Sequence, residues 1–134
     1  MTRPELAVGA VACRDDELLL VRRGHGPAAG EWSVPGGRVE RGEPLSVAVL
    51  RELREETGLE AFCGPLLGWV EHITADHHFV ILDFEVTIID RGDPVAGDDA
   101  AEVLWVPVAD VTELNLVDGL AEFLHDHGII PTIT

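Results

Sequence analysis

The sequence predicts an α/β (α+β) fold in which a mixed β-sheet is sandwiched between α-helices. Short apolar runs bounded by polar turns, which are typical of strands, dominate the first and middle parts of the chain. One helical pattern is inserted among these runs and a second stands near the end, an order that favours a sheet with a helix on each face. The 134 residues, 46% hydrophobic and 25% charged, fit one globular domain over residues 1–134 and exclude a disordered chain.

The first elements are predicted to be strands around tight turns. Residues 6–13 and 17–22 are apolar runs on either side of a polar Arg-Asp-Asp sequence, a pattern typical of a buried hairpin. The glycine- and proline-rich residues 24–30 are expected to form a loop. Residues 32–34 then form a short strand, which the Pro-Gly-Gly sequence at 35–37 is expected to stop.

The clearest helix is predicted over residues 44–57. Pro44 suits the first helical turn, where its missing N–H is not needed, and Gly58 suits the position just past the end. The other predicted elements are strands over residues 66–70, 79–89 and 103–106 and a second helix, with one apolar face, over residues 117–127.

The charge balance limits the kinds of ligand. Aspartate and glutamate number 25 against nine basic residues, all of them arginine, for a formal net charge of −16. Such a surface repels a polyphosphate backbone, so no nucleic-acid partner is expected. A compact phosphate-bearing ligand fits if divalent cations or a local arginine cluster offset the repulsion.

Membrane, targeting and redox signals are sparse. No uncharged apolar run approaches the roughly 18 residues that a spanning helix needs, so no membrane partner is expected. The N-terminal residues lack the basic start and apolar block of a signal peptide, which favours a cytoplasmic location. Cys13 and Cys63 show no metal-ligand spacing, and we expect both to be reduced, buried small hydrophobes.

Three carboxylates form one stripe on the predicted helix. Glu52, Glu55 and Glu56 stand at i, i+3 and i+4, in line with apolar residues of the earlier turns. Like charges at this spacing repel, and partial burial increases the cost. A hard divalent cation such as Mg²⁺, which prefers oxygen ligands, would offset this repulsion. The alternative is a solvated acidic face on a surface helix.

The residues around the start of the helix favour the ligand site. The two glycines at 36 and 37 supply backbone that can approach a ligand closely, and the Gly37 carbonyl is available to a metal. Glu43 stands at the entrance to the helix, and Arg51 can pair with Glu55 at i+4.

This stretch resembles the box of the Nudix hydrolase family. The family pattern is glycine, five residues, glutamate, seven residues, arginine–glutamate, an apolar residue, any residue, two glutamates, any residue, glycine and an apolar residue. Every specified position and both gaps match, and residues 32–36 and 104–107 also look like the family. The matching positions are Gly37, Glu43, Arg51, Glu52, Leu53, Glu55, Glu56, Gly58 and Leu59.

The resemblance implies the Nudix fold, a sandwich of helix, mixed sheet and helix. It also implies hydrolysis of a nucleoside diphosphate linked to another group, by attack of water on phosphorus. The implied cofactor is Mg²⁺ or Mn²⁺, bound by Glu52, Glu56 and the Gly37 carbonyl, with Glu55 as a further candidate ligand. The box residues expected to act in catalysis, the first two by orienting the site, are Glu43, Arg51, Glu52 and Glu55.

The general base stays open between a box glutamate and an acid outside the box. The outside candidates are Asp98, Asp99 and Glu102, in the segment before Trp105. Glu102 is favoured, because relatives often carry a functional acid three residues before that tryptophan. The two aspartates fit a polar turn before a strand about as well.

Residues outside the box are expected to contact the substrate. The basic residues at positions 22, 23 and 25 precede the glycine-rich loop and can meet phosphates. The tryptophan at position 32 either stacks on a base or packs in the core. The histidines at positions 72, 77 and 78 fit a polar turn or a substrate-pocket wall better than a zinc site. The candidate substrate-binding residues are Arg22, Arg23, His25, Trp32 and His78.

The expected partner is a small-molecule nucleotide. The chain lacks the downstream proline that ADP-ribose hydrolases often carry, and it contains no tyrosine, which diadenosine polyphosphate hydrolases often show there. Its short length favours a nucleoside triphosphate, cut to monophosphate and pyrophosphate, with ADP-ribose as the alternative. A catalytically silent nucleotide-binding module and a decapping role are alternatives from other classes. A homodimer is expected by analogy with small relatives.

Overall fold

The computed structural model describes residues 3–26, 28–90, 92–97 and 99–131. Strands form most of the first and middle parts, one helix interrupts them, and a second stands near the end. The elements are β1 (Glu5–Arg14), β2 (Glu17–Arg23), β3 (Trp32–Ser33), β4 (Gly36–Arg38), α1 (Leu45–Thr57), β5 (Ala61–Ile73), β6 (His78–Ile88), β7 (Ala100–Pro107), a 3₁₀ helix (Val108–Glu113) and α2 (Leu120–Asp126).

The strands form a mixed sheet, which confirms the predicted fold class. The strand order is β3-β2-β1-β6-β5, with β4 also paired to β1 and β7 also paired to β2. β1 runs parallel to β6 over the eight residues from Glu5 to Ala12, whereas the other pairings are antiparallel. The predicted β1–β2 hairpin therefore exists only at its tip, where Cys13 lies opposite Leu18, because the rest of β1 pairs with β4 and β6.

The sheet buries a different apolar cluster on each face. Side chains alternate along a strand, so Val8 and Ala10 of β1 pack with α1 while Val11 packs with α2. In β2, Leu19 joins the α1 side, and its two neighbours join the α2 side. This alternation explains why the apolar runs of the first two strands are continuous: both faces of these strands are covered.

The helix α1 follows its prediction closely. Pro44 keeps extended backbone angles (φ −61°, ψ 146°), so the first helical residue is Leu45 rather than Pro44. Gly58 takes the left-handed conformation (φ 73°), and its N–H donates to the carbonyl of Arg54 at 2.9 Å. The helix therefore ends at Thr57, as expected from the glycine.

Three boundaries differ from the sequence prediction. The Pro-Gly-Gly sequence does not end the strand region: Gly36 and Gly37 belong to β4 and lie opposite Gly9 and Val8 of β1. β5 is much longer than the predicted 66–70 stretch, because it pairs with β6 through two register shifts. The second helix begins at Leu120 rather than at 117, since the residue before it has a left-handed backbone conformation.

The expectation that both cysteines are buried is wrong. Cys13 is exposed, because it lies at the end of β1 beside the turn, and Cys63 is only partly buried, next to a register shift of β5. Burial raises the pKa of both thiols above the ordinary value. Among the residues that the structure describes, no helix is long and apolar enough to cross a membrane.

Candidate active site

A pocket of about 440 Å³ lies where α1, β4 and the end of β2 meet. Its lining combines carboxylates with arginine and histidine side chains and includes three glycines. The lining residues are Val21, Arg22, Arg23, His25, Gly26, Gly36, Gly37, Arg38, Glu52, Glu56, Asp99 and Ala100.

Two partly buried carboxylates of α1 line this pocket. The N–H of Gly36 donates to Glu56 Oε1 at 2.7 Å, which orients that side chain towards β4. Burial is the main cause that raises the pKa of Glu56 to about 7. The Gly36 hydrogen bond and Arg23 oppose this shift, and the charges of Glu52 and Asp99 contribute to it. Burial also raises the pKa of Glu52. A cation bound here would favour the charged form of both side chains.

The backbone of β4 comes close enough to these carboxylates to exclude side chains. A Cβ atom on Gly37 would overlap the carboxylate of Glu52, and a Cβ atom on Gly36 would overlap the carbonyl oxygen of Val8. The carboxylate of Glu52 therefore occupies the space that a side chain would fill at position 37. This is the close backbone approach that the glycine pair predicts.

Arg51 holds the acidic residues around the start of α1 in place. Its Nε and Nη2 donate to the two oxygens of Glu43 at 2.7 and 3.0 Å, and Nη1 donates to Glu52 Oε1 at 2.7 Å. Nη2 also donates to the carbonyl of Arg38 at 3.0 Å, which ties α1 to β4. The hydrogen bonds from Arg51 lower the pKa of Glu43. Such a two-pronged arginine contact fixes geometry as well as charge.

Glu55 stands apart from the other two glutamates of the stripe. Its side chain is 55% exposed and lies 3.2 Å from Arg51 Nη1, the i,i+4 pair that the sequence predicts. It is absent from the pocket lining. The three carboxylates thus share one side of α1, but the structure brings only Glu52 and Glu56 into the pocket.

The structure also gives the candidate acids outside the box different surroundings. Asp99 lines the pocket, and its charge acts on both Glu52 and Glu56. Glu102, the outside acid that the sequence favours, lies opposite Arg22 in the β2–β7 pairing and bonds to its Nε at 3.3 Å, outside the pocket lining. This pairing depends on strand register, which the sequence did not reveal. Asp98 lies outside the described residues.

The predicted substrate residues divide into two groups. Arg22, Arg23 and His25 line the pocket as expected. Trp32 is 7% exposed and packs in the apolar cluster beneath α2, so the structure places it in the core rather than in the pocket. His78 lies away from the pocket lining and contacts Glu71 Oε2 at 2.7 Å through Nε2.

Two features near the pocket escaped the sequence analysis. Arg38 lines the pocket, and its guanidinium lies 5.3 Å from the ring centroid of Phe79. That ring packs 4.7 Å from His77, which stacks on His72 at 5.9 Å. The only signal for Arg38 was its position directly after Gly37. The cross-strand aromatic row required the β5–β6 register.

The donor set fits a hard divalent cation. Among the described residues, no group of three or more His, Cys, Asp or Glu side chains is placed to hold a metal ion. Mg²⁺, however, is usually held by one or two carboxylates and completes its shell with water and substrate phosphates. Glu52 and Glu56, which line the pocket together with the backbone of Gly37, supply such a two-carboxylate set of oxygens.

Comparison with known proteins decides the family. The family model described as NUDIX domain matches residues 3–127. The chain belongs to the Nudix family. The Nudix chain is 35% identical over 113 residues to the ADP-ribose pyrophosphatase of Methanocaldococcus jannaschii, covering 83% of this chain and 66% of that protein. It is 37% identical over 90 residues to the CTP pyrophosphohydrolase of Escherichia coli, covering 60% of this chain and 64% of that protein.

A solved structure agrees with this family over nearly the whole Nudix chain. The MutT NUDIX hydrolase from Burkholderia pseudomallei superimposes with a TM-score of 0.81 at 29% identity, covering 92% of this chain and 98% of that one. The chain spans slightly less than two thirds of the length of the two curated relatives. Family membership and the names of these relatives support a pyrophosphohydrolase enzyme.

Proposed function

We propose that this Nudix chain hydrolyses the diphosphate linkage of a nucleoside diphosphate joined to another group. The observation that carries the proposal is the pocket itself. It combines two partly buried carboxylates, Glu52 and Glu56, with the basic residues Arg22, Arg23 and His25. A chain of net charge −16 needs such a local arrangement to hold an anionic substrate.

We further propose Mg²⁺ or Mn²⁺ as the cofactor, held by Glu52, Glu56 and the Gly37 carbonyl, with Glu55 as a further candidate. When bound, the cation neutralises the diphosphate and makes a bound water acidic enough to react. The arginines at positions 22 and 23 would bind the outer phosphate oxygens. A bound cation would explain why partly buried, negatively charged glutamates lie beside a site for negatively charged phosphates.

The remaining residues of the site hold these groups or take up a proton. Arg51, fixed by Glu43, orients the Glu52 carboxylate through the 2.7 Å contact at Oε1. We propose that a carboxylate oxygen accepts the proton of the attacking water. Asp99 is the outside acid that lines the pocket, whereas Glu102 is engaged with Arg22, and Glu55 is the exposed box alternative.

The substrate we propose first is a nucleoside triphosphate, cut to monophosphate and pyrophosphate. The relative named as a CTP pyrophosphohydrolase supports this choice. ADP-ribose is the second candidate, because a relative named as an ADP-ribose pyrophosphatase aligns over 83% of this chain. Both substrates contain the diphosphate that the pocket would bind.

A substrate screen tests the proposal. Purified protein with Mg²⁺ is incubated with nucleoside triphosphates, ADP-ribose, NADH and dinucleoside polyphosphates, and products are identified by chromatography. Pyrophosphate from a triphosphate supports the first choice, whereas AMP and ribose phosphate from ADP-ribose as the dominant products support the second. Tight nucleotide binding without any product would instead favour a catalytically silent binding module.

We propose a homodimer by analogy with small relatives, a cytoplasmic location that suits nucleotide substrates, and no nucleic-acid partner. Sedimentation at micromolar concentration tests the dimer, and a clean monomer would reject it. Cell fractionation tests the location. Hydrolysis of capped RNA in preference to free nucleotides would reject the last point.

A further inference from the structure

The segment between β6 and β7 is docked on the end of α1 by its backbone. We define this crossing segment as residues 92–97. The N–H of Val95 donates to the carbonyl oxygen of Thr57 at 2.8 Å, and the N–H of Gly97 donates to the carbonyl oxygen of Glu56 at 2.9 Å. These carbonyls lie in the last turn of α1, where no partner exists further along the helix. The crossing segment therefore completes the hydrogen bonding of the helix that carries the pocket glutamates.

Gly97 permits this docking because no side chain fits at its position. A Cβ atom on Gly97 would overlap the carbonyl oxygen of Glu55, which is a helix backbone atom and cannot swing aside. Val95 contributes differently, since its side chain is 70% exposed and only its N–H reaches the helix. The crossing segment is therefore held by the N–H groups of Val95 and Gly97, and it can lie this close to α1 because Gly97 has no side chain.

The backbone of Asp99, two residues after the end of the crossing segment, is hydrogen-bonded to the residue that follows β2. The N–H of Gly24 donates to the carbonyl oxygen of Asp99 at 3.0 Å. Gly24 directly follows the β2 end that carries Arg22 and Arg23. Asp99 lines the pocket together with these arginines and the glutamates of α1. Its main chain is thus tied to the residue after β2, and Gly97, two residues earlier, is tied to the end of α1.

We propose that the crossing segment is a positioning device: Gly97 and the N–H of Val95 set the place of the Asp99 carboxylate between α1 and the arginines of β2. This inference rests on the proposed function for its catalytic consequence. Gly97 and Val95 are positioning residues, because they act through Asp99. Moving the segment displaces Asp99 while leaving every group that lines the pocket chemically intact.

The test compares variants of the crossing segment. Gly97→Ala introduces the overlapping Cβ, and Val95→Pro removes one donor without touching a buried side chain. Gly92→Ala is the matched control, because a Cβ there meets only the Asp90 carboxylate, at 3.1 Å. Amide hydrogen exchange, thermal unfolding, kcat and KM are measured for the nucleotide that the wild-type protein cleaves.

We expect Gly97→Ala and Val95→Pro to lower kcat about tenfold to a hundredfold, with KM changed less than about threefold. Amide exchange at Gly24 should accelerate at least about tenfold in both variants, since the far anchor of Asp99 loosens. Gly92→Ala should match the wild-type protein in all measurements. Wild-type kcat in a Gly97→Ala protein whose Gly24 exchange has accelerated would overturn the proposal.

A double variant separates positioning from a general structural effect. If Gly97 acts through Asp99, Gly97→Ala combined with Asp99→Asn should be no slower than the slower single variant, within about threefold. Because the charge of Asp99 acts on Glu52 and Glu56, the proposed cation ligands, Mn²⁺ affinity measured by electron paramagnetic resonance should weaken by a similar factor in each single variant and no further in the double. Losses that multiply in either measurement contradict the inference. If the wild-type protein cleaves no nucleotide, the proposed function fails, while the exchange and Mn²⁺ measurements still decide the positioning role.

Discussion

At the scale of single residues, the protonation state of Glu56 depends on whether the pocket holds a cation. Its carboxylate is largely buried, accepts a hydrogen bond from Gly36, and has a pKa raised to about 7 by that burial. A buried carboxylate with a raised pKa in a pocket is a recurring property of functional sites. Without a cation, partial burial makes the charged form of this side chain unfavourable, and a bound cation would favour it.

The first prediction concerns this side chain. Glu56→Gln should lower kcat on the order of a thousandfold, because it removes a charged oxygen ligand while keeping the shape. The variant should stay folded, since the neutral amide avoids the burial of a charge. Steady-state kinetics and thermal unfolding measure both effects. Glu122→Gln, on the exposed side of α2, is the control, and wild-type turnover in Glu56→Gln would refute the ligand assignment.

Asp83 provides a residue-scale prediction outside the pocket. It is 4% exposed, its Oδ1 has no hydrogen-bond partner among the residues that the structure describes, and a Cβ on Gly9 would overlap that oxygen. Burial raises the pKa of Asp83 to about 7, with His127 acting in the opposite direction. The folded state therefore keeps a proton that the unfolded state has already released between about pH 4 and 7. Stability from this residue should fall as the pH rises through that window.

Asp83→Asn tests this linkage. The free energy of unfolding should fall less steeply between pH 4 and 7 in the variant, by up to about 1.4 kcal/mol per pH unit. At pH 8 the variant should be more stable than the wild-type protein, and at pH 4 it should show no such gain. Urea unfolding over this range measures the difference. Asp118→Asn, at an exposed position, should leave the slope unchanged. Parallel slopes in wild type and Asp83→Asn would show that folding does not raise the pKa of Asp83.

At the scale of elements, the short strand β4 connects the sheet to the pocket. Gly36 lies opposite Gly9 of β1, and its N–H reaches Glu56 on α1. Arg51 of α1 contacts the carbonyl of Arg38 at the other end of β4. The three residues of β4 thus join β1 of the sheet to the helix α1. The close packing of this strand against β1 leaves no room for a side chain at position 36.

Gly36→Ala should therefore destabilise the protein as well as disturb the pocket. The added Cβ would overlap the carbonyl oxygen of Val8, so β4 must move away from β1. We expect a loss of about 2 kcal/mol or more in the free energy of unfolding, measured by urea denaturation. Gly92→Ala serves as the matched control in an exposed segment. Equal stability of the two variants would mean that β4 shifts without loss of packing.

At the scale of the whole molecule, net charge and metal binding are connected. A formal net charge of −16 makes association with polyphosphates unfavourable at every point except where cations or arginines gather. Chelator should therefore abolish activity, and added Mg²⁺ should restore it. Because Mg²⁺ binds the folded state, it should also raise Tm by a few degrees. Scanning calorimetry with and without Mg²⁺ measures the shift, and full activity in excess chelator would exclude the metal mechanism.

Much of the fold and the acidic half of the pocket could be predicted from local sequence. Proline before α1 and glycine after it act through their own backbone preferences, so the helix bounds agree to one residue. The spacing of Glu52, Glu55 and Glu56 follows from helical periodicity. The glycine pair before the helix predicted a close approach of the backbone to other groups. In the structure, the backbone of Gly37 in β4 makes such an approach to the Glu52 carboxylate. Each of these inferences uses interactions within a few residues.

Contacts between distant segments were decided by the tertiary structure. The register of the sheet pairs Glu102 with Arg22, and the path of the chain between β6 and β7 brings Asp99 to the pocket. Neither arrangement could be predicted from a pattern of neighbouring residues. Burial of Trp32 and exposure of Cys13 likewise depend on which elements cover them. The sequence by itself determined the α1 motif and the family's chemistry, because these rest on local spacing and residue type. Only the packing of α1, β2 and β7 decided which acids share the pocket, since that choice depends on non-local distances.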